Sequence, residues 1–129
     1  MFIYRNLEPP SGSVLIVDID GVIADATAHQ HYLNGEIQYW EKFFEAASNT
    51  RVFREGRELV NSLDRKKPIF LMTARPSDLL EKTVHWLSQN EIRWDALLMR
   101  EEKDDRSSPE VKLDLLKDLI ECGYEPKLA

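Results

Sequence analysis

Two aspartates one residue apart, Asp18 and Asp20, close the apolar run of SVLIVDIDG. Side chains two apart on an extended strand share a face, so both carboxylates can reach one site while the chain stays extended. Two such charges repel unless a cation or a shared proton relieves them. Mg²⁺ suits them, because it is hard and accepts few protein ligands alongside water and substrate phosphate. A carboxylate can also attack phosphorus and form an aspartyl-phosphate. A second carboxylate close by can then carry the proton for the leaving oxygen. The competing reading of the same residues is a solvated loop entrance with Gly21 making a turn. A calcium EF-hand does not fit, since glycine stands at the fourth position and Val22 occupies a place that needs an oxygen ligand.

Three further stretches offer groups for an anion. Thr73 in LMTARP supplies a hydroxyl and neighbouring backbone N–H groups, with Arg75 as a second contact for a phosphate oxygen. Lys112 sits near the start of the helical stretch SPEVKLDLLKDLIECG, where a cation opposes the helix dipole by a few tenths of a kcal/mol or so. Beside a bound phosphate, lysine and helix end would attract the same anion; without one, Lys112 is an ordinary exposed lysine. Arg100 and Arg106 bracket the charge-dense REEKDDR, a solvated loop in its plainest reading and otherwise a source of phosphate contacts. His29 and His31 lack a partner histidine or cysteine and read as surface or local packing residues, and His85 as structural. Cys122 reads as an inert packed thiol. No G-x-x-x-x-G-K-[ST] occurs, so a P-loop kinase is not indicated.

The elements that must position these groups are legible as alternating patterns. Val14–Ile19, Pro68–Thr73 and Asp95–Met99 are short, continuously apolar runs, as expected of strands covered on both faces. Lys127–Ala129 opens a fourth. Helical spacing appears in Ile37, Trp40, Phe43, Phe44 and Ala47, then in Leu59, Val60 and Leu63, and then in Leu80, Val84 and Leu87 with Ser77 as cap. The last helix is expected to have Ser108 as its N-cap, Pro109 in first position, Val111, Leu115, Leu116, Leu119 and Ile120 on its buried side, and Gly123 as its stop. Strands alternating with helices imply an α/β fold with a parallel sheet and helices on both faces. In such sheets ligands gather beyond the C-terminal strand ends, where Asp18, Asp20, Thr73 and Arg100 all fall.

Composition bounds the rest. A chain of 129 residues, 43% hydrophobic and 31% charged, is expected to form a single domain spanning 1–129. No apolar run reaches membrane-spanning length and no secretory signal is read at the N-terminus. One cysteine builds no disulfide framework, so a cytoplasmic protein is expected. A net charge of −6 argues against a broad basic surface for duplex nucleic acid, though not against a small basic pocket.

The order DIDG, LMTARP, PEVKLDLL resembles the haloacid dehalogenase (HAD) superfamily. Within it, LLMR, DDR, VK and EPKLA make the chain most similar to the 3′-phosphatase domain of phage-type polynucleotide kinase/phosphatases. The resemblance implies a Rossmann-like, HAD-type sheet with minimal or no cap. It implies a Mg²⁺-dependent phosphomonoester hydrolase with Asp18 as nucleophile and Asp20 as general acid/base. Thr73 and Lys112 would hold the phosphoryl group, and Asp18 and Asp20 the metal. Substrates would be nucleic-acid 3′-phosphate ends or nucleotides. Val22 stands where the family more often has threonine. The family also places an acidic pair just after its fourth strand, and this sequence reaches Ala129 inside that presumed strand. A truncated last strand, an open edge on Val14–Ile19 and a weakened metal site are expected accordingly. The alternatives are a non-catalytic phosphate- or partner-binding module of the same fold and a phosphotransferase of the same superfamily.

Overall fold

The computed structural model describes residues 1–25, Lys42, Ala46 and residues 50–128. The apolar runs form strands. In chain order these are β1 (Phe2–Tyr4), β2 (Ser13–Asp18), β3 (Ala24–Asp25), β4 (Arg51–Val52), β5 (Ile69–Pro76), β6 (Ala96–Arg100) and β7 (Glu125–Leu128). The helices are α1 (Arg54–Ser62), α2 (Leu80–Gln89) and α3 (Ser108–Glu121). Among the described residues, five strands make one sheet in the order β1-β6-β5-β2-β7, and β3 and β4 form a two-stranded ribbon. β2, β5, β6 and β7 are parallel, as the strand–helix alternation predicts, while β1 adds an antiparallel edge on β6.

Each face of the sheet packs its own core. Val17, Ile69, Leu71, Leu97 and Met99 meet Val60 of α1 and Trp86 and Leu87 of α2. On the other face, Val14, Ile16, Phe70, Met72 and Leu98 meet Val111, Leu115 and Leu119 of α3. β5 is apolar on both sides and buried from Ile69 to Arg75, which explains its uninterrupted hydrophobic reading.

Several boundaries differ from expectation. β1 was not read from the sequence, because three residues carry too little pattern to mark a strand. β5 runs on through Pro76, since the chain remains extended past Thr73. Ser107, not Ser108, is the N-cap of α3, and its N–H donates to Glu110 Oε2 at 3.3 Å. Lys112 is therefore the fifth helical residue, beyond the first turn. Ser77 lies in a 3₁₀ turn (Ser77–Leu79) ahead of α2 rather than capping it. Gly123, at φ 95°, ends α3 in the left-handed conformation that glycine adopts without strain.

The expected open edge is also corrected. β7 pairs with β2 from Ser13↔Glu125 to Ile16↔Leu128, so that part of the strand has neighbours on both sides. The expectation of a minimal cap and the helical pattern from Ile37 to Ala47 concern chain outside the described residues, as do His29 and His31. Among the described residues, no helix is long and apolar enough to cross a membrane.

Candidate active site

Asp18 is the last residue of β2, and its backbone stays in register with Met72 of β5. The chain then turns. The Ile19 carbonyl accepts from the N–H groups of Val22, Ile23 and Ala24, while Gly21 N–H donates to the Ala24 carbonyl. Gly21 has φ 89°, which a side chain would disfavour, so glycine at this place sets how sharply the chain leaves Asp20. From the opposite side, α1 presses Gly56 against this turn. A Cβ at residue 56 would stand 1.9 Å from the Val22 carbonyl oxygen. Phe53 N–H adds a 2.6 Å bond to the Ile23 carbonyl.

The two carboxylates have separate cationic partners. Lys112 Nζ donates to both Asp18 oxygens, at 2.8 and 3.0 Å. The Asp18 side chain retains 36% exposure and that of Lys112 30%, so the pair opens to solvent. Burial pushes the Asp18 carboxyl above its ordinary value; the hydrogen bonds and charge of Lys112 oppose this, and the Asp20 charge adds to it. Asp20 is held differently. Thr73 Oγ1 donates to its Oδ2 at 2.8 Å, and Arg75 Nη2 and Nε donate to Oδ1 at 2.8 and 3.2 Å. Arg75 is itself fully buried. Its backbone N–H donates to Thr73 Oγ1 at 3.1 Å, so a single hydroxyl links the strand to the carboxylate.

Arg75 and Arg100, the candidate phosphate contacts at the strand ends, bond to groups of the protein itself. Arg75 clamps Asp20. Arg100, 8% exposed, directs Nε to the Ala74 carbonyl at 2.9 Å and Nη1 to the Asp104 carbonyl at 3.0 Å and the Arg106 carbonyl. Arg106 in turn pairs with the side chains of Asp104 and Asp114. Its hydrogen bonds hold the Asp104 carboxyl down at about 2. Thus Asp18, Asp20, Thr73, Arg75 and Lys112 come together at the C-terminal ends of β2 and β5, while Arg100 and Arg106 brace the loop before α3. Sequence reasoning did not single out Gly56. Its one signal was a glycine inside an otherwise helical pattern.

The donors suit a hard cation: two carboxylates at the mouth of the site, with Asp18 raised by burial and by its acidic neighbour. Among the described residues, no group of three metal-ligating side chains occurs. Mg²⁺ characteristically needs only one or two protein carboxylates, with water and phosphate completing its shell. Asp18 and Asp20 therefore fit that ion.

The family described as the polynucleotide kinase PNKP phosphatase domain matches residues 12–129. No curated protein sequence matches. Two solved structures of the Pnkp1/Rnl/Hen1 complex, one described as an RNA repair complex, superpose with TM-scores of 0.70 at 22% identity. They cover 98% and 97% of this chain, which spans only 38% and 41% of theirs. A class C acid phosphatase from Bacillus anthracis with tungstate bound has a TM-score of 0.63 at 12% identity, covering 93% of this chain and 51% of its own. At these identities the likeness to solved structures is one of fold. With the family match over nearly its whole length, and the paired aspartates at the strand end that the fold reserves for ligands, the chain belongs to the PNKP phosphatase-domain family of HAD phosphatases.

Proposed function

We propose that the chain hydrolyses phosphate monoesters through an aspartyl-phosphate on Asp18, in a Mg²⁺-dependent reaction, with nucleic-acid 3′-phosphate ends or nucleotides as substrate. The observation that carries this reading is the division of labour between the carboxylates. Asp18 faces solvent beside Lys112, whereas Asp20 is tethered two residues away by Thr73 and Arg75.

Lys112 neutralises the approach of an anionic phosphoryl group that would otherwise meet two carboxylates. An Asp18 oxygen attacks phosphorus, and the bond from phosphorus to the ester oxygen breaks. The departing oxygen takes a proton from Asp20, which first gains that proton from solvent and keeps its other oxygen on Arg75. A water then gives its proton to Asp20 and attacks phosphorus, breaking the Asp18–phosphorus bond and releasing inorganic phosphate. Asp18 and Asp20 would hold Mg²⁺, which when bound would supply neutralising charge to the phosphoryl oxygens. Thr73, whose one O–H steadies Asp20, would turn that hydroxyl to the phosphoryl group once Asp20 is protonated. The nucleic-acid preference draws its support from the family.

Phosphate release tests this with 3′-phosphorylated DNA and RNA oligonucleotides, free nucleotides and p-nitrophenyl phosphate, each with Mg²⁺ and with chelator. Asp18→Asn is expected to lower turnover by about 10³-fold or more, as loss of a nucleophile does. An unchanged rate would assign the nucleophile elsewhere. Absence of turnover together with Mg²⁺-dependent binding of BeF₃⁻ would favour a binding module, and capture of the phosphoryl group by an added alcohol would indicate a phosphotransferase.

A further inference from the structure

The β5–β6 pairing contains an irregularity that coincides with the site. Met72 pairs with Leu98 and Pro76 with Arg100, so Thr73, Ala74 and Arg75 occupy a stretch of β5 opposite Met99 alone. A bulge re-aims side chains and leaves backbone groups outside the ladder. Here Thr73 and Arg75 within it both bond Asp20, and the Ala74 carbonyl receives Arg100 Nε at 2.9 Å. The same guanidinium reaches the Asp104 and Arg106 carbonyls, in the loop that leads into α3 and so to Lys112. Only a branched, planar donor serves both sides at once; a lysine ammonium is a single point.

We propose that Arg100 is a positioning residue for phosphoryl transfer, joining the bulge that holds Asp20 to the loop that places Lys112 against Asp18. This rests on the phosphatase reading above. Arg100 does not contact substrate; it sets the distance between the general acid and the lysine beside the nucleophile. A displacement of about 1 Å between such groups can cost 10²-fold in rate.

The test uses the full chain with Mg²⁺ and p-nitrophenyl phosphate, comparing Arg100→Gln, Arg100→Lys, Lys112→Ala and the Arg100→Gln/Lys112→Ala pair. Arg100→Gln is expected to lower kcat by about 10- to 100-fold. KM and the inhibition constant of inorganic phosphate should stay within about threefold of wild type, since they report substrate contacts that Arg100 does not make. The double variant should be no more than about twofold slower than Lys112→Ala alone, because Lys112 is already misplaced without Arg100. Hydrogen exchange should quicken together at the Arg75 and Arg106 amides, which bond Thr73 Oγ1 and Asp104 Oδ1. Arg100→Lys keeps a cation in place and should show the same kcat-selective loss, so the split can be read even if the glutamine variant does not fold. A rise in KM and in the phosphate inhibition constant with kcat unchanged would make Arg100 a substrate contact and overturn the proposal. So would additive losses in the double variant, or faster exchange on one side only. If the wild-type chain hydrolyses no monoester, the phosphatase reading fails while the exchange experiment still decides whether Arg100 joins the two segments.

Discussion

Arg75 carries its charge in complete burial, where the Asp20 carboxylate lies against it and Thr73 adds to that carboxylate's hydrogen bonds. Removing one partner takes a direct ion pair from the other. Asp20→Ala is therefore expected to destabilise the fold by about 3 kcal/mol, as breaking a buried pair does, beyond any effect on turnover. Asp20→Asn keeps an acceptor for the guanidinium and should lose less. Urea denaturation of both variants measures this, and equal stability of all three proteins would show that the pair is not a structural element. At this scale the sequence was informative about which residues come together and less so about what they touch. Asp18, Asp20, Thr73, Arg75 and Lys112 were all candidates before any coordinates, because their residue types and strand-end positions restrict their uses. That Arg75 turns to Asp20 was not legible, since a linear pattern does not show which group a strand-end guanidinium meets on a neighbouring segment.

Among the elements, α1 has a particular part, because its contact with the turn after Asp20 passes through a glycine. Gly56→Ala would drive a methyl group into the Val22 carbonyl, at 1.9 Å in the present geometry. The helix or the turn must move, at a cost of about 2–3 kcal/mol. A shift of the turn would also carry Asp20 away from Asp18. Thermal melts should fall for Gly56→Ala, and turnover measured below the transition should drop too; loss of neither would mean that the helix slides at no cost. The parallel strands were evident from branched apolar runs, and α3 from its proline, its acidic first turn and its stop glycine. The edge strand β1 and the two-residue ribbon of β3 and β4 escaped notice because such short segments draw their stability from tertiary pairing rather than from their own residues. The one-residue shift of the α3 cap has a similar origin: Ser107 and Ser108 are alike in sequence, and only the reach to Glu110 separates them.

Across the whole molecule, the face covered by α3 is tied together by an aromatic trio. Tyr124, just before β7, packs edge-on against Phe70 at 5.0 Å, and Phe70 meets Tyr4 of β1 at 6.3 Å. Tyr124 Oη donates to Tyr4 Oη at 3.1 Å. Burial, and then the bond to Tyr4, push the Tyr124 hydroxyl above its ordinary value. A tyrosine raised in this way lends its full stabilisation below its unfolded value of about 10 and loses it as pH rises beyond. Unfolding midpoints should therefore decline above about pH 10, and Tyr124→Phe should flatten that decline; an identical alkaline slope in the variant would remove Tyr124 from the explanation.

The position of β2 between β5 and β7 also has a bearing on time. Its outer neighbour begins at Glu125, 112 residues after Ser13. A ribosome adding about 5–20 residues per second needs roughly 6–20 s to cover that separation. For most of that interval the segment bearing Asp18 has neither its second flank nor the lysine that pairs with it. The strand that carries Asp18 thus acquires β7 only after β5, β6 and α3 have been made, and until then its amides from Ser13 to Ile16 lack a partner on that side.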